Sequence, residues 1–154
     1  MDLSPKLLMV LHATAAVVLI GSTTHNGIIA FLHLRGRPYR PKLQRTYVRI
    51  MGWAYLTTFS LGLLNYPAFR LTVRRDYLDE QVPLAAAFFE VKEHWLGIGL
   101  LLLACYWPMS RTMDVRRRSP DATLYHLIGM TMVAIVWLAM FTGLIVAAIR
   151  PVGG

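Results

Sequence analysis

Four apolar stretches occupy most of this chain, at about Leu7 to Leu34, Val48 to Phe69, Leu84 to Met109 and Leu124 to Ile149. Each exceeds the ~20 largely apolar residues that carry a helix across a bilayer. The chain is 154 residues long and 56% hydrophobic, which would give a water-soluble domain of this size more apolar surface than one core could hide. The expected fold is therefore all-α: an integral membrane four-helix bundle, with residues 1–154 forming a single four-span domain.

The first stretch opens like a signal peptide, with Lys6 ahead of an apolar run. The run continues for nearly 28 residues, with no small-residue cleavage site followed by a polar start, so a retained span is expected. Gly36, Pro38 and Pro41 punctuate the first connection, and Ser119 and Pro120 lead into the fourth span with Asp121 as its expected cap.

A net charge of +8 in a soluble protein would suggest nucleic acid. Here the charges are sorted by connection. Arg35, Arg37, Arg40, Lys42, Arg45 and Arg49 follow the first span or open the second, and Arg111, Arg116, Arg117 and Arg118 follow the third. Lys6, Arg70, Arg74, Arg75, Lys92 and Arg150 belong to the other side. The positive-inside rule makes the two Arg-rich loops cytoplasmic and puts both termini outside. The partners expected from this are the lipid bilayer and other membrane protein subunits, with no nucleic acid.

Trp53 and Trp107, with Tyr47 and Tyr106, fall near the cytoplasmic ends of their spans, where aromatic belts lie. Ala139, Gly143 and Ala147 recur every fourth residue of the fourth span, a small-residue stripe that admits close helix packing or a partner subunit. Cys105 is the only cysteine, so neither an internal disulfide nor a CxxC motif exists, and it reads as a small buried apolar residue.

Four histidines lie inside the spans: His12 and His25 in the first, His94 in the third and His126 in the fourth. Ionisable groups at membrane depth are costly and usually face the protein interior. By depth, His12 and His94 belong to the outer half and His25 and His126 to the inner half. Two histidines facing each other across a bundle are the usual axial ligands of a b-type haem, so one or two haems b are expected, with His12 and His94 the preferred pair on iron and His25 with His126 the second. Thr14, Ser22, Thr23 and Thr24 are candidate partners for the ring nitrogens. Arg70, Arg74 and Lys92 are available for the propionates on the outer side.

Helix geometry opposes the simplest two-haem arrangement. His12 and His25, 13 residues apart, point about 140° from each other on an ideal helix, whereas His33 returns to within about 60° of His12 near the cytoplasmic interface. The Glu90, Lys92, Glu93 cluster reads as an interfacial helix end. For a non-haem metal only Glu90 and His94, at i and i+4, have loose ligand spacing.

A histidine six residues into the first span, a basic loop, the Ser60-Leu61-Gly62 segment and the run Val91-Lys92-Glu93-His94-Trp95 before Leu100 to Leu103 resemble the small bacterial membrane protoporphyrinogen oxidase family. Copper-resistance D-domain proteins share a similar arrangement. The resemblance implies haem binding, with His12 matching the haem-liganding histidine and Lys92 the functional lysine; the family's His-x-Lys-Leu order is replaced here by Lys92-Glu93-His94. The expected function is a b-type haem subunit passing electrons in a larger complex of a bacterial-type inner (plasma) membrane. A porphyrinogen-oxidising enzyme and a cofactor-free accessory subunit are the alternatives.

Overall fold

The computed structural model describes residues 5–37, 40–71, 74, 79–113 and 119–149, and among these every regular element is helical. Four long helices, α1 (Pro5–Leu34), α2 (Pro41–Phe69), α4 (Pro83–Thr112) and α5 (Pro120–Ile149), are joined by short connections, with the one-turn α3 (Asp79–Gln81) ahead of α4. Each long helix begins at a proline, whose fixed φ suits the first helical turn and whose missing N–H is no loss there. At α5 the Ser119 hydroxyl accepts the Ala122 N–H at 3.1 Å, so Ser119 is the cap, and Asp121, expected in that role, lies in the first turn instead.

Helix α1 ends on Gly36, the only residue with positive φ among those described (85°). The Gly36 N–H donates to the His33 carbonyl at 2.9 Å and the Arg37 N–H to the Leu32 carbonyl at 3.0 Å. This paired closure of a helix end needs a left-handed residue, which glycine supplies without a steric cost. It turns the chain sharply toward α2.

The helices form a ring in which α1 packs on α2 and α5, and α4 on α2 and α5. Cross-helix contacts run antiparallel throughout. His12 meets Thr58 and His25 meets Tyr47 between α1 and α2, and Thr24 meets Trp137 and His33 meets His126 between α1 and α5. The end of α1, the start of α2, the end of α4 and the start of α5 therefore share one end, which carries Arg35, Arg37, Arg40, Lys42, Arg45, Arg49 and Arg111. Arg116, Arg117 and Arg118 lie outside the described residues, as do Arg75 and Arg150.

Every seam of the ring closes over a glycine. A Cβ on Gly52 would stand 2.5 Å from the Trp107 ring, one on Gly129 2.7 Å from the Tyr106 hydroxyl and one on Gly27 2.5 Å from Val133 Cγ2. At Gly99 it would collide with the Tyr55 hydroxyl, and at Gly62 it would approach the His12 ring at 3.3 Å. Large side chains thus seat directly against neighbouring backbones.

Two of the long helices, over Lys6–Leu34 and Pro120–Ile149, are long and apolar enough to cross a membrane. The other two expected spans fall short of that measure, α2 through its tyrosine, threonine, asparagine and proline residues and α4 through charge inside the helix. Arg45 and Arg49 stand in the first turns of α2, and Glu90, Lys92, Glu93 and Arg111 lie within α4. Cys105, expected to be buried, is exposed on α4.

Candidate functional site

The buried positions of α4 (Ala85, Phe89, Gly99, Leu103, Tyr106 and Ser110) lie three or four residues apart except for the ten-residue step from Phe89 to Gly99, and define its inward stripe. Lys92, half-buried, falls on that stripe. His94, about 200° further round from Lys92, falls off it and is exposed. The same arithmetic applies to α1, where Leu19, Thr23, Asn26, Ala30 and His33 are buried and His25 is exposed.

Two apolar clusters fill the bundle. The larger joins Leu19, Met51, Tyr55, Leu103, Met132 and Val136 toward the Arg-rich end, and the smaller joins Ala85, Ala86, Phe89 and Val146 at the other. Between them the half-buried His12 donates its Nδ1 hydrogen to the Thr58 carbonyl at 3.0 Å. A carbonyl only accepts, so Nδ1 carries a proton, and in the neutral ring Nε2 holds the lone pair. Thr58 Oγ1, in the same turn of α2, is buried without a hydrogen-bond partner. Lys92 lies close enough to act electrostatically on the imidazole, and its Nζ stands 3.9 Å over the Phe89 ring. His12, Thr58 and Lys92 form a polar layer between two apolar ones.

The other predicted residues lie elsewhere. His94 donates Nδ1–H to the Glu90 carbonyl of its own helix at 2.8 Å, and His25 donates to the Gly21 carbonyl at 2.7 Å while stacking on Tyr47 at 5.1 Å. Arg70 is exposed at the end of α2. Arg74 pairs with Glu90 and reaches Tyr66 at 3.3 Å and Glu93 at 3.9 Å. His126 is fully buried and meets His33, 8% exposed, with ring centroids 4.8 Å apart. The structure thus brings His12 near Lys92 and His126 against His33; it does not bring His25 to His126.

The hydroxyls proposed as histidine partners are engaged otherwise. Thr14, Ser22 and Thr23 bond to carbonyls of their own helix, at Val10, Val18 and Leu19, and Thr24 accepts the Trp137 Nε1 hydrogen at 3.0 Å. The partners of His12, His25 and His94 are backbone carbonyls, which no side-chain pattern announces.

A second polar layer, missed from sequence, lies at the Arg-rich end. Asn26 donates to the Tyr106 hydroxyl at 3.0 Å, Tyr106 stacks on Tyr125 at 4.5 Å, and Tyr125 adjoins His126 edge-on at 5.2 Å. Gln44, fully buried, belongs to the same end. The available signal was the inward register shared by Asn26 and His33.

Among the described residues no three His, Cys, Asp or Glu side chains gather closely enough to hold a metal ion. A cavity of about 460 Å³ opens between α2 and α4, walled by Leu56, Leu100, Leu103 and Trp107 with Arg111 at its edge, and contains none of the histidines. Comparison of the chain with protein families, curated proteins and solved structures returned no match.

Proposed function

We propose that this chain is a four-span integral membrane protein holding one b-type haem through His12, and that it serves as an electron-carrying subunit of a larger membrane complex. The membrane reading is supported by the outer faces of all four long helices, which present Val17, Ile28, Leu63, Leu64, Leu84, Leu101, Phe141 and Leu144. Leaving such side chains in water forgoes about 2 kcal/mol apiece, whereas lipid solvates them. The interior carries Asn26, Gln44 and His126. The Arg-rich end is read as cytoplasmic, in a bacterial-type plasma membrane.

The observation that carries the haem reading is the His12 imidazole, fixed by the Thr58 carbonyl so that the neutral ring has Nε2 as its unprotonated nitrogen. Ligating histidines are usually oriented in this way through their second nitrogen. Haem iron arrives with most of its own ligands, so a centre here asks only one imidazole of this layer. Lys92 supplies a cation to the same layer for a propionate, while Arg74 is already held by Glu90 and Glu93. Haem so bound would supply one-electron chemistry; the residues orient the ligand nitrogen, balance negative charge and exclude water.

The test is the reduced-minus-oxidised absorbance spectrum of protein purified with ample haem supply. The expected result is b-type bands that His12→Ala removes; a colourless wild-type protein overturns the reading. His12 and Lys92 in one layer also satisfy the requirement of a porphyrinogen-oxidising enzyme, and turnover by the isolated protein would establish that alternative. The cofactor-free accessory subunit is favoured by one observation. A Cβ on Gly143, central in the small-residue stripe of α5, would meet nothing within 4 Å, so this face is open to a partner helix.

A further inference from the structure

The cavity between α2 and α4 takes no part in the His12 layer. Its walls are apolar, and its volume of about 460 Å³ falls within the ~300–1,000 Å³ range of small-molecule sites. Trp107 forms one wall because Gly52 has no Cβ to hold its ring away, and Trp53 meets that ring edge-on at 5.5 Å. At the mouth the Arg111 guanidinium stands 5.9 Å above the Trp107 ring. Arg49, exposed two helical turns before Leu56, shares the face of α2 that carries Leu56. The neighbouring charges at this end are Arg35, Arg37, Arg40, Lys42 and Arg45, with Asp121 the one acidic residue among those described.

We infer that this groove binds an anionic phospholipid, with one acyl chain between α2 and α4 and the phosphate at Arg111 and Arg49. The inference rests on the membrane reading above. An acyl chain matches the apolar walls, and a phosphate matches a mouth rich in arginine, whose planar fork suits phosphate oxygens. A zwitterionic lipid offers the same chain but sets its own cation against the arginines. The groove therefore selects by headgroup charge.

The experiment reconstitutes the full chain into phosphatidylcholine vesicles and titrates in phosphatidylglycerol or phosphatidylcholine with brominated acyl chains, reading quenching of tryptophan fluorescence. The expected result is half-quenching at a several-fold lower mole fraction for phosphatidylglycerol. Arg111→Gln should reduce that preference about fivefold, the effect of about one arginine at a membrane surface. Lys6→Gln, an exposed change at the opposite end, should leave it intact. Ala104→Phe, which fills the groove, should weaken quenching by both lipids. Equal quenching by the two lipids, retention of the preference in Arg111→Gln, its loss in Lys6→Gln, or unchanged quenching in Ala104→Phe would each overturn the site. A chain that stays outside the vesicles would instead overturn the membrane reading.

Discussion

Three of the histidines give their Nδ1 hydrogen to a backbone carbonyl, and only His12 does so across to another helix. That difference decides which substitution matters. His12→Ala should abolish the haem bands, whereas His25→Ala and His94→Ala, both on outward faces, should leave them in place; absorbance of the three purified variants checks this. The Asn26–Tyr106 bond crosses the interior of the ring, and Asn26→Ala would remove one of several side chains bonded to a buried phenol, leaving Tyr125 and Gln44 beside it. A loss of about 1 kcal/mol is expected, read as an earlier thermal unfolding midpoint in detergent. Facing was legible in sequence: the 13-residue spacing already turned His25 away from His12, and the two-residue step from Lys92 to His94 does the same on α4. Partners were not legible, because a carbonyl acceptor is present at every residue and its availability is decided by the helix alongside.

Helix ends follow local chemistry more closely than hydropathy does. Pro41 starts α2 seven residues before the apolar stretch at Val48, because the helix continues through the basic residues that hydropathy assigns to a loop. Pro83 and Pro120 mark their helices to the residue. Ser119, rather than Asp121, caps α5, since a proline at the first helical position leaves the preceding residue to accept the free amides. Ser119→Ala is expected to cost about 1 kcal/mol. Gly36→Ala, which places a Cβ on a left-handed residue, is expected to cost about 1–2 kcal/mol. Thermal unfolding of each variant beside wild type gives both values, and a Gly36→Asn protein should recover part of the loss, as asparagine tolerates that conformation better.

The whole molecule places apolar side chains on its outside and gathers interior polar groups into two layers, one at His12 and one at Asn26, Tyr106 and His126. Composition announced the first property, since 56% hydrophobic residues exceed one core's capacity. The second needed coordinates, because the layers are assembled from four helices whose relative heights are set by side chains meeting backbone. Cys105 gives a direct reading of the outer face. Exposed on α4 two turns before its end, about 10 Å below it, it should on the proposed membrane reading resist a membrane-impermeant maleimide in intact and in opened vesicles, and label once the membrane is dissolved in a denaturing detergent.

The glycines that line the seams have a consequence for how the chain finds its partners within itself. In the membrane setting proposed above, apolar attraction barely distinguishes one helix pairing from another, because the surroundings are as oily as the contact. Selection then falls to shape. Tyr55 and Tyr106 each occupy a gap that exists at one height of the neighbouring helix, and sliding either helix by a residue would drive the ring into a side chain. Gly52 and Gly99 receive side chains in opposite directions across the α2–α4 seam, and Gly27 receives Val133 across the α1–α5 seam, so the two hairpins carry matching keys on both edges. A gene split between α2 and α4 should accordingly yield two fragments that recognise each other, recovered together on one affinity tag, while a Gly99→Leu fragment is left behind.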